Sequence, residues 1–280
     1  MKFGVNTYIW GATFGPADFA LLPRLAAGGF DGIEVPILDP AAFEADAVAR
    51  ECDRVGLART AVANVPRGSS LASADAGERQ RARDHVAACI KVARDIGAEV
   101  LAGPMYTPVG FLTGTRRTPE EWKWAVDSWQ QLSSVVEAAG IEIGIEPLNR
   151  FETYFLNIAA DAARLCDEIG CPRIGILVDT FHANIEEKSI EAALRAAGPH
   201  LKHLHVCEND RGIPGSGHVA WGEFFCTVAA LGYDRWMTIE SFGFSLGELS
   251  TAAAVWRDLA STPEAIAFEG VRFLRANVVA

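Results

Sequence analysis

The sequence predicts an α/β protein, a single-domain (β/α)8 TIM barrel spanning residues 1–280. Three observations predict it. Eight short β-type runs alternate strictly with helical stretches, which implies a parallel sheet joined by right-handed crossovers. Eight such repeats fit the roughly 250 residues typical of a closed barrel. No G-x-G-x-x-G follows the first run, and no Pro/Gly-rich or charge shift divides the chain, which disfavours an open doubly wound sheet.

In chain order the strand candidates are Phe3–Tyr8, Gly32–Ile37, Leu57–Ala63, Glu99–Gly103, Glu142–Pro147, Arg173–Thr180, Leu201–Val206 and Trp236–Ser241. Several intervening helices carry their own punctuation. In T-P-E-E, Thr118 caps a helix, Pro119 suits its first turn, Glu121 closes a capping box, and Gly140 ends it. Asn157 is the expected cap of the next helix, where Ile158, Ala162, Leu165 and Ile169 recur at helical spacing before Gly170. Two longer polar connections, Ser69 to Gly77 and Gly103 to Thr118, follow the third and fourth strands. Both fall on the face where a barrel builds its site.

Composition narrows the function classes. Hydrophobic residues make up 50% of the 280 and charged residues 22%, as in a folded globular enzyme. Mean hydropathy is +0.13. With 25 Lys plus Arg against 36 Asp plus Glu, the formal charge of -11 opposes binding to a phosphate backbone, so no nucleic-acid partner is expected. Six cysteines without a CxxC pair indicate neither a disulfide framework nor a zinc ribbon, and they read as small buried side chains in a reducing cytoplasm. No apolar stretch approaches the length of a membrane span, and MKFGVNTYIWG does not read as an export signal. A cytoplasmic protein without a membrane partner is expected.

Catalytic residues of such barrels sit at the C-terminal ends of strands. The fifth run ends in Glu146, the sixth in Asp179, the seventh in His205 and the eighth in Glu240. Period-two alternation lets all four point inward. In the sixth run Gly175, Leu177 and Asp179 share the inner face, while Ile174, Ile176 and Val178 face the helices. Three carboxylates and one imidazole form a hard, oxygen-rich set suited to Mn²⁺, Mg²⁺ or Co²⁺. A single strand-end acid is as readily a helix cap or an Arg partner, but four on consecutive strands favour a metal site.

The segments IEPLNRFE (145–152) and VDTFHANIEE (178–187) resemble the D-tagatose 3-epimerase family of ketose 3-epimerases, which are xylose isomerase-like barrels. HVCENDR (205–211), PGSGHVAW (214–221), IESF (239–242) and VWRDL (255–259) continue the likeness in order. It spans most of the chain and is sharpest from 142 to 260. The resemblance implies Glu146, Asp179, His205 and Glu240 as ligands of a divalent metal, Mn²⁺ foremost, with Glu146 and Glu240 also the acid–base catalysts. It implies Glu152, His182 and Arg211 as substrate-orienting residues. The reaction so implied is epimerisation of a free ketose of the D-tagatose, D-allulose (psicose) or L-ribulose type. With a cation on O2 and O3 the C3 proton is acidified, one Glu removes it, and the other returns a proton to the opposite face of the enediolate. A homo-oligomer, dimer or tetramer, is expected.

The departures from the family concern the sugar. Cys207 and Asp210 stand where relatives often have Gly and Asn, and the 103–110 loop lacks a tryptophan placed over the sugar in some members, a place left to Tyr106 or Phe111. Gly212, Gly215 and Gly217 offer a phosphate cradle or, more simply, a flexible loop. His203 is equally a barrel-interior histidine and a functional one, and the competing reading of Arg211 is a surface partner of Asp210 or Glu208. Trp122, Trp124 and Trp129 read as packing or a subunit contact. Competing readings are an aldose–ketose isomerase of the hydroxypyruvate isomerase type, an inosose-processing relative, and a catalytically silent sugar-binding barrel. An abasic-site nuclease shares the barrel type, but six histidines and a charge of -11 suit its zinc cluster and DNA poorly.

Overall fold

Alternation of strand and helix closes into a barrel in the computed structural model, which describes residues 1–242, 251 and 253–278. Its strands are β1 (Lys2–Asn6), β2 (Gly32–Pro36), β3 (Ala58–Val62), β4 (Val100–Gly103), β5 (Glu142–Ile145), β6 (Ile174–Asp179), β7 (Leu201–His205) and β8 (Trp236–Ile239). They pair in parallel in chain order, and β8 returns to β1. All the strands but β4 end one or two residues sooner than the sequence pattern suggests. The chain leaves the ladder there to build the loops of the site, so Glu146 and Glu240 each lie one residue past a strand.

The surrounding helices are α1 (Leu22–Ala27), α2 (Ala45–Val55), α3 (Ala76–Asp95), α4 (Pro119–Ala139), α5 (Ala159–Ile169), α6 (Thr180–Glu186), α7 (Ile190–Ala197), α8 (Trp221–Ala230) and α9 (Pro263–Asn277). The capping box on α4 forms, with the Glu121 backbone N–H donating to Thr118 Oγ1 and the Thr118 N–H to Glu121 Oε2. Gly140 ends that helix at φ 74°, a left-handed conformation that favours glycine. Asn157 does not cap α5. Its amide instead donates to the carbonyls of Leu148 and Thr153, Ile158 takes the cap position, and Glu187 accepts the free Ala159 N–H at 2.7 Å.

Between strands and helices lies the apolar core. Ile33, Val35, Ile143, Ile145, Ile174, Ile176 and Val178 are buried there, as the outward face of the alternation requires. Inside the barrel Tyr8, Val62, Val100, Ala102, Leu177 and Trp236 form a smaller cluster that has Trp236 at its base. Two strand glycines make room for that indole. A Cβ on Gly32 would stand 2.5 Å from Trp236 Cη2 and 2.5 Å from the Ala58 carbonyl oxygen, and one on Gly4 would lie 3.3 Å from Trp236 Cε3. The indole N–H donates to Glu99 at 2.9 Å, so its polar atom is also satisfied. Five of the six cysteines are buried as expected, but Cys226 is exposed on α8.

Candidate active site

The four strand-end groups converge. Asp179 closes β6 and caps α6 by accepting the Phe181 N–H at 2.6 Å, and His205 closes β7. One potential ligand atom from each of Glu146, Asp179, His205 and Glu240 lies within 4.8 Å of the others, and all four residues are buried. His205 Nδ1 is 3.8 Å from Glu146 Oε1, 3.9 Å from Asp179 Oδ2 and 3.4 Å from Glu240 Oε2. Barrel closure thus brings together residues spread over nearly a hundred positions of sequence.

Arg211 sits against this cluster rather than at the surface. It has φ 69°, a left-handed conformation uncommon for a non-glycine and one that clusters at functional sites. Its Nη1 donates to Asp179 Oδ2 at 2.5 Å and to Glu240 Oε2 at 2.7 Å. The guanidinium lies between the rings of Phe181 and Phe242, 4.2 and 5.1 Å from their centroids. Neither surface partner holds it. Asp210 pairs with Arg257 at 2.6 Å, and Glu208 faces its own loop. His182 Nδ1 accepts the Asn149 backbone N–H at 3.0 Å, and its Nε2 lies 3.0 Å from Arg211 Nη2 and 3.6 Å from Glu146 Oε1. The Asn149 amide donates to Glu152 at 2.7 Å. All seven residues singled out in the sequence therefore meet at one place.

Above the cluster a cavity opens, lined by Tyr8, Val62, Ala63, Asn64, Gly103, Pro104, Val109, Leu148, Phe242 and Ala253 together with Glu146, Glu152, His182, Arg211 and Glu240. Tyr106 and Phe111 do not take the place left to them. Tyr106 is fully buried with its hydroxyl donating to the Glu146 carbonyl, and Phe111 is 51% exposed, edge-on to Tyr154. Val109 lines the cavity on that side. The glycine loop is neither a phosphate cradle nor loose. Glu208 accepts the N–H groups of Gly215 and Val219 at 2.9 and 2.8 Å and the Trp221 indole N–H at 2.9 Å, while Asp210 accepts the Gly212 N–H at 2.9 Å. Of the tryptophans on α4, Trp122 and Trp129 are packed into the core.

Burial and crossed charges pull the titratable groups apart. Burial, then the neighbouring Glu240, raises Glu146 well above the usual carboxylate range. Burial also acts to raise Glu240, but His205 and Arg211 outweigh it and bring that carboxyl down to about 2. His205 is raised well above the ordinary imidazole value, the Glu240 and Glu34 carboxylates overcoming burial. Burial lowers His182 to about 3 and keeps it neutral.

The residues fit a divalent cation. Glu146 Oε1 and His205 Nδ1 are buried within the cluster without a hydrogen-bond partner, so each, once deprotonated, would offer a lone pair to a cation. Three carboxylates and one imidazole are the donor types that hard divalent ions take.

Three residues of the site were not given a role by the sequence. Asn149 orients His182 and Glu152, Tyr8 stacks on Phe242 at 5.4 Å, and Glu34 on β2 contacts His205 Nε2 at 2.7 Å. Only Glu34 had a clear signal, a charged residue on the same face as Gly32 in the middle of a buried strand.

A family model described as "Xylose isomerase-like TIM barrel" matches residues 22–277. A probable ketose 3-epimerase of Synechocystis sp. is 35% identical over 280 residues, covering 98% of this chain and 96% of that protein. An L-ribulose 3-epimerase of Mesorhizobium japonicum is 28% identical, covering 98% of this chain and 93% of that protein. Among solved structures, a D-allulose 3-epimerase from Methylomonas sp. in complex with D-allulose aligns with a TM-score of 0.94 at 25% identity, covering 99% of this chain and 97% of that one.

Proposed function

We propose that this chain, which belongs to the xylose isomerase-like TIM barrel family and within it to the ketose 3-epimerases, and is a carbohydrate epimerase, interconverts free ketoses at C3. The observation that carries the reading is the pair Glu146 and Glu240. They enter one cavity from strands three apart around the barrel, in environments that push their protonation in opposite directions. Epimerisation needs such a pair, one group to take the C3 proton from one face and one to return a proton to the other.

Glu146, Asp179, His205 and Glu240 would hold the cation, Mn²⁺ in the first instance with Mg²⁺ or Co²⁺ as alternatives, and a bound cation supplies electrostatic stabilisation to the enediolate. The remaining work falls to the chain. Arg211 donates from a guanidinium held against two rings, and neutral His182 stands beside it with Nε2 3.0 Å from Arg211 Nη2, so both are suited to orient O1 and O2 of the ketose. Glu152, held by Asn149, faces the same cavity as a further hydroxyl partner. Val62, Val109, Leu148 and Phe242 exclude water around the sugar.

A free sugar suits the cavity better than a sugar phosphate. Among the described lining residues Arg211 is the one permanent cation, and it already bonds two carboxylates. The loop N–H groups that could cradle a phosphate are taken by Glu208 and Asp210. D-Allulose, D-tagatose and L-ribulose are the substrates to test first, named relatives being an L-ribulose 3-epimerase and a D-psicose 3-epimerase. Exposed Phe111 and Phe151, on loops that meet where Phe111 bridges Thr153, support a homo-oligomer. Among the described residues no helix is long and apolar enough to cross a membrane.

The test is a panel of free ketoses and their phosphates with Mn²⁺, Mg²⁺ and Co²⁺, the products resolved by chromatography. A 3-epimer from a free ketose supports the reading. An aldose product would replace it with the aldose–ketose isomerase, and a preference for phosphates would overturn the substrate class.

A further inference from the structure

One layer below the four strand-end groups, the carboxylate of Glu34 crosses the barrel interior from β2 to β7. It is fully buried, and its surroundings have a fixed polarity. The Tyr8 N–H donates to Asn6 Oδ1 at 2.9 Å, so the Asn6 amide is turned with its NH₂ toward Glu34 Oε1, 3.0 Å away. Thr60 Oγ1 donates to Glu34 Oε2 at 2.8 Å. Asn6 and Thr60 flank Glu34 directly in the β1–β2 and β2–β3 registers, so strand pairing itself sets this geometry. The other two neighbours come from across the barrel. His203 Nε2 stands 2.8 Å from Glu34 Oε2, and His205 Nε2 stands 2.7 Å from Oε1.

A carboxylate can only accept, so the proton of a neutral His205 belongs on Nε2. Its lone pair is then on Nδ1, the buried atom that has no partner and lies amid Glu146, Asp179 and Glu240. We propose that Glu34 is a positioning residue, which takes the His205 Nε2–H and so holds the Nδ1 lone pair aimed at the cation site. The proposal rests on the metal reading above. Outer carboxylates that fix the tautomer of a ligating histidine typically alter metal affinity 10–100-fold when removed.

Two substitutions separate this role from simple packing. Glu34→Leu keeps most of the volume and removes the acceptor. Glu34→Gln keeps an amide oxygen for His205 and Asn6 while its NH₂ turns to Thr60, whose hydroxyl can accept. Mn²⁺ affinity is read from the free-ion electron paramagnetic resonance signal. The Co²⁺-loaded proteins are examined by proton NMR for a hyperfine-shifted, solvent-exchangeable ring N–H. We expect Glu34→Leu to weaken Mn²⁺ binding about 10–100-fold and to broaden the ring N–H signal by faster exchange, with Glu34→Gln recovering most of both. Leu binding Mn²⁺ within twofold of the parent, or Gln as weak as Leu, overturns the proposal and leaves the metal reading standing. A parent that binds no Mn²⁺ overturns both. If Glu34→Leu fails to fold, the parent Co²⁺ spectrum decides: a slowly exchanging ring N–H supports the role, and its absence refutes it.

Discussion

Replacing Arg211 by alanine removes a permanent cation from a buried group of acids, and the structure sets how large the consequence should be. Nη1 bonds Asp179 and Glu240 at 2.5 and 2.7 Å, and all three side chains are buried. Breaking a buried pair by deleting one partner typically costs about 3–5 kcal/mol, because the charge left behind stays desolvated. Here two carboxylates are left desolvated in the metal-free protein, so that range applies to it. At ~2–4 °C per kcal/mol the fall in Tm is roughly 6–20 °C. A divalent cation neutralises the same carboxylates, so saturating Mn²⁺ should recover much of the loss. Differential scanning calorimetry of parent and variant, each with EDTA and with Mn²⁺, measures both effects. Catalysis should not recover with stability, since a ketone misplaced by about 1 Å loses on the order of 10²-fold in rate. A metal-free Tm within about 2 °C of the parent, where breaking the pair predicts at least ~6 °C, would refute the reasoning, as would a deficit that Mn²⁺ leaves unchanged.

The other expected outcomes are shorter to state. Glu146→Gln and Glu240→Gln should each lower kcat by about 10²–10⁴-fold with the fold retained by circular dichroism, and a loss under tenfold would remove that residue from proton transfer. Prolonged EDTA treatment should abolish epimerisation and added Mn²⁺ restore it, whereas full activity after chelation would exclude a metal role. Gly32→Ala should lower unfolding free energy in urea by about 1–3 kcal/mol, the usual cost of overpacking, because its Cβ meets the Ala58 carbonyl oxygen and Trp236, each at 2.5 Å. An unchanged midpoint would mean that the base of the barrel is not tightly packed.

What the sequence made legible follows from how local each signal is. Strand–helix alternation, the T-P-E-E cap and the glycines at 140 and 170, both at φ 74°, depend on a few adjacent residues and appear as expected. Strand ends were legible because alternation fixes which side chains face inward, and Glu146, Asp179, His205 and Glu240 do meet. The α5 cap was misplaced because an asparagine next to a helix competes for more distant carbonyls, and the free N–H was met from Glu187, 28 residues away. The loop aromatic over the cavity was misplaced because a loop has no period to show whether Tyr106 points in or out. Glu34 is the instructive omission. A charge in a buried strand marks it, but its partner His205 lies 171 residues away, and nothing near residue 34 names that partner.

That second layer explains why the stability of this barrel must come from outside its strands. Going up the interior, Trp236 packs against glycines at the base, Glu34 with Asn6, Thr60 and His203 fills the middle, and the four strand-end groups with Arg211 form the top. Buried polar networks of this kind contribute little net stability and are costly when any member lacks its partner. The large aliphatic cluster between strands and helices supplies the compensating burial. An apolar substitution in the middle layer is therefore expected to act mainly through the groups above it. His205 joins the two layers, with one ring nitrogen on Glu34 and the other among the acids, so the orientation of the top layer is set from below. The strand register that places Asn6 and Thr60 beside Glu34 thereby reaches the four strand-end groups.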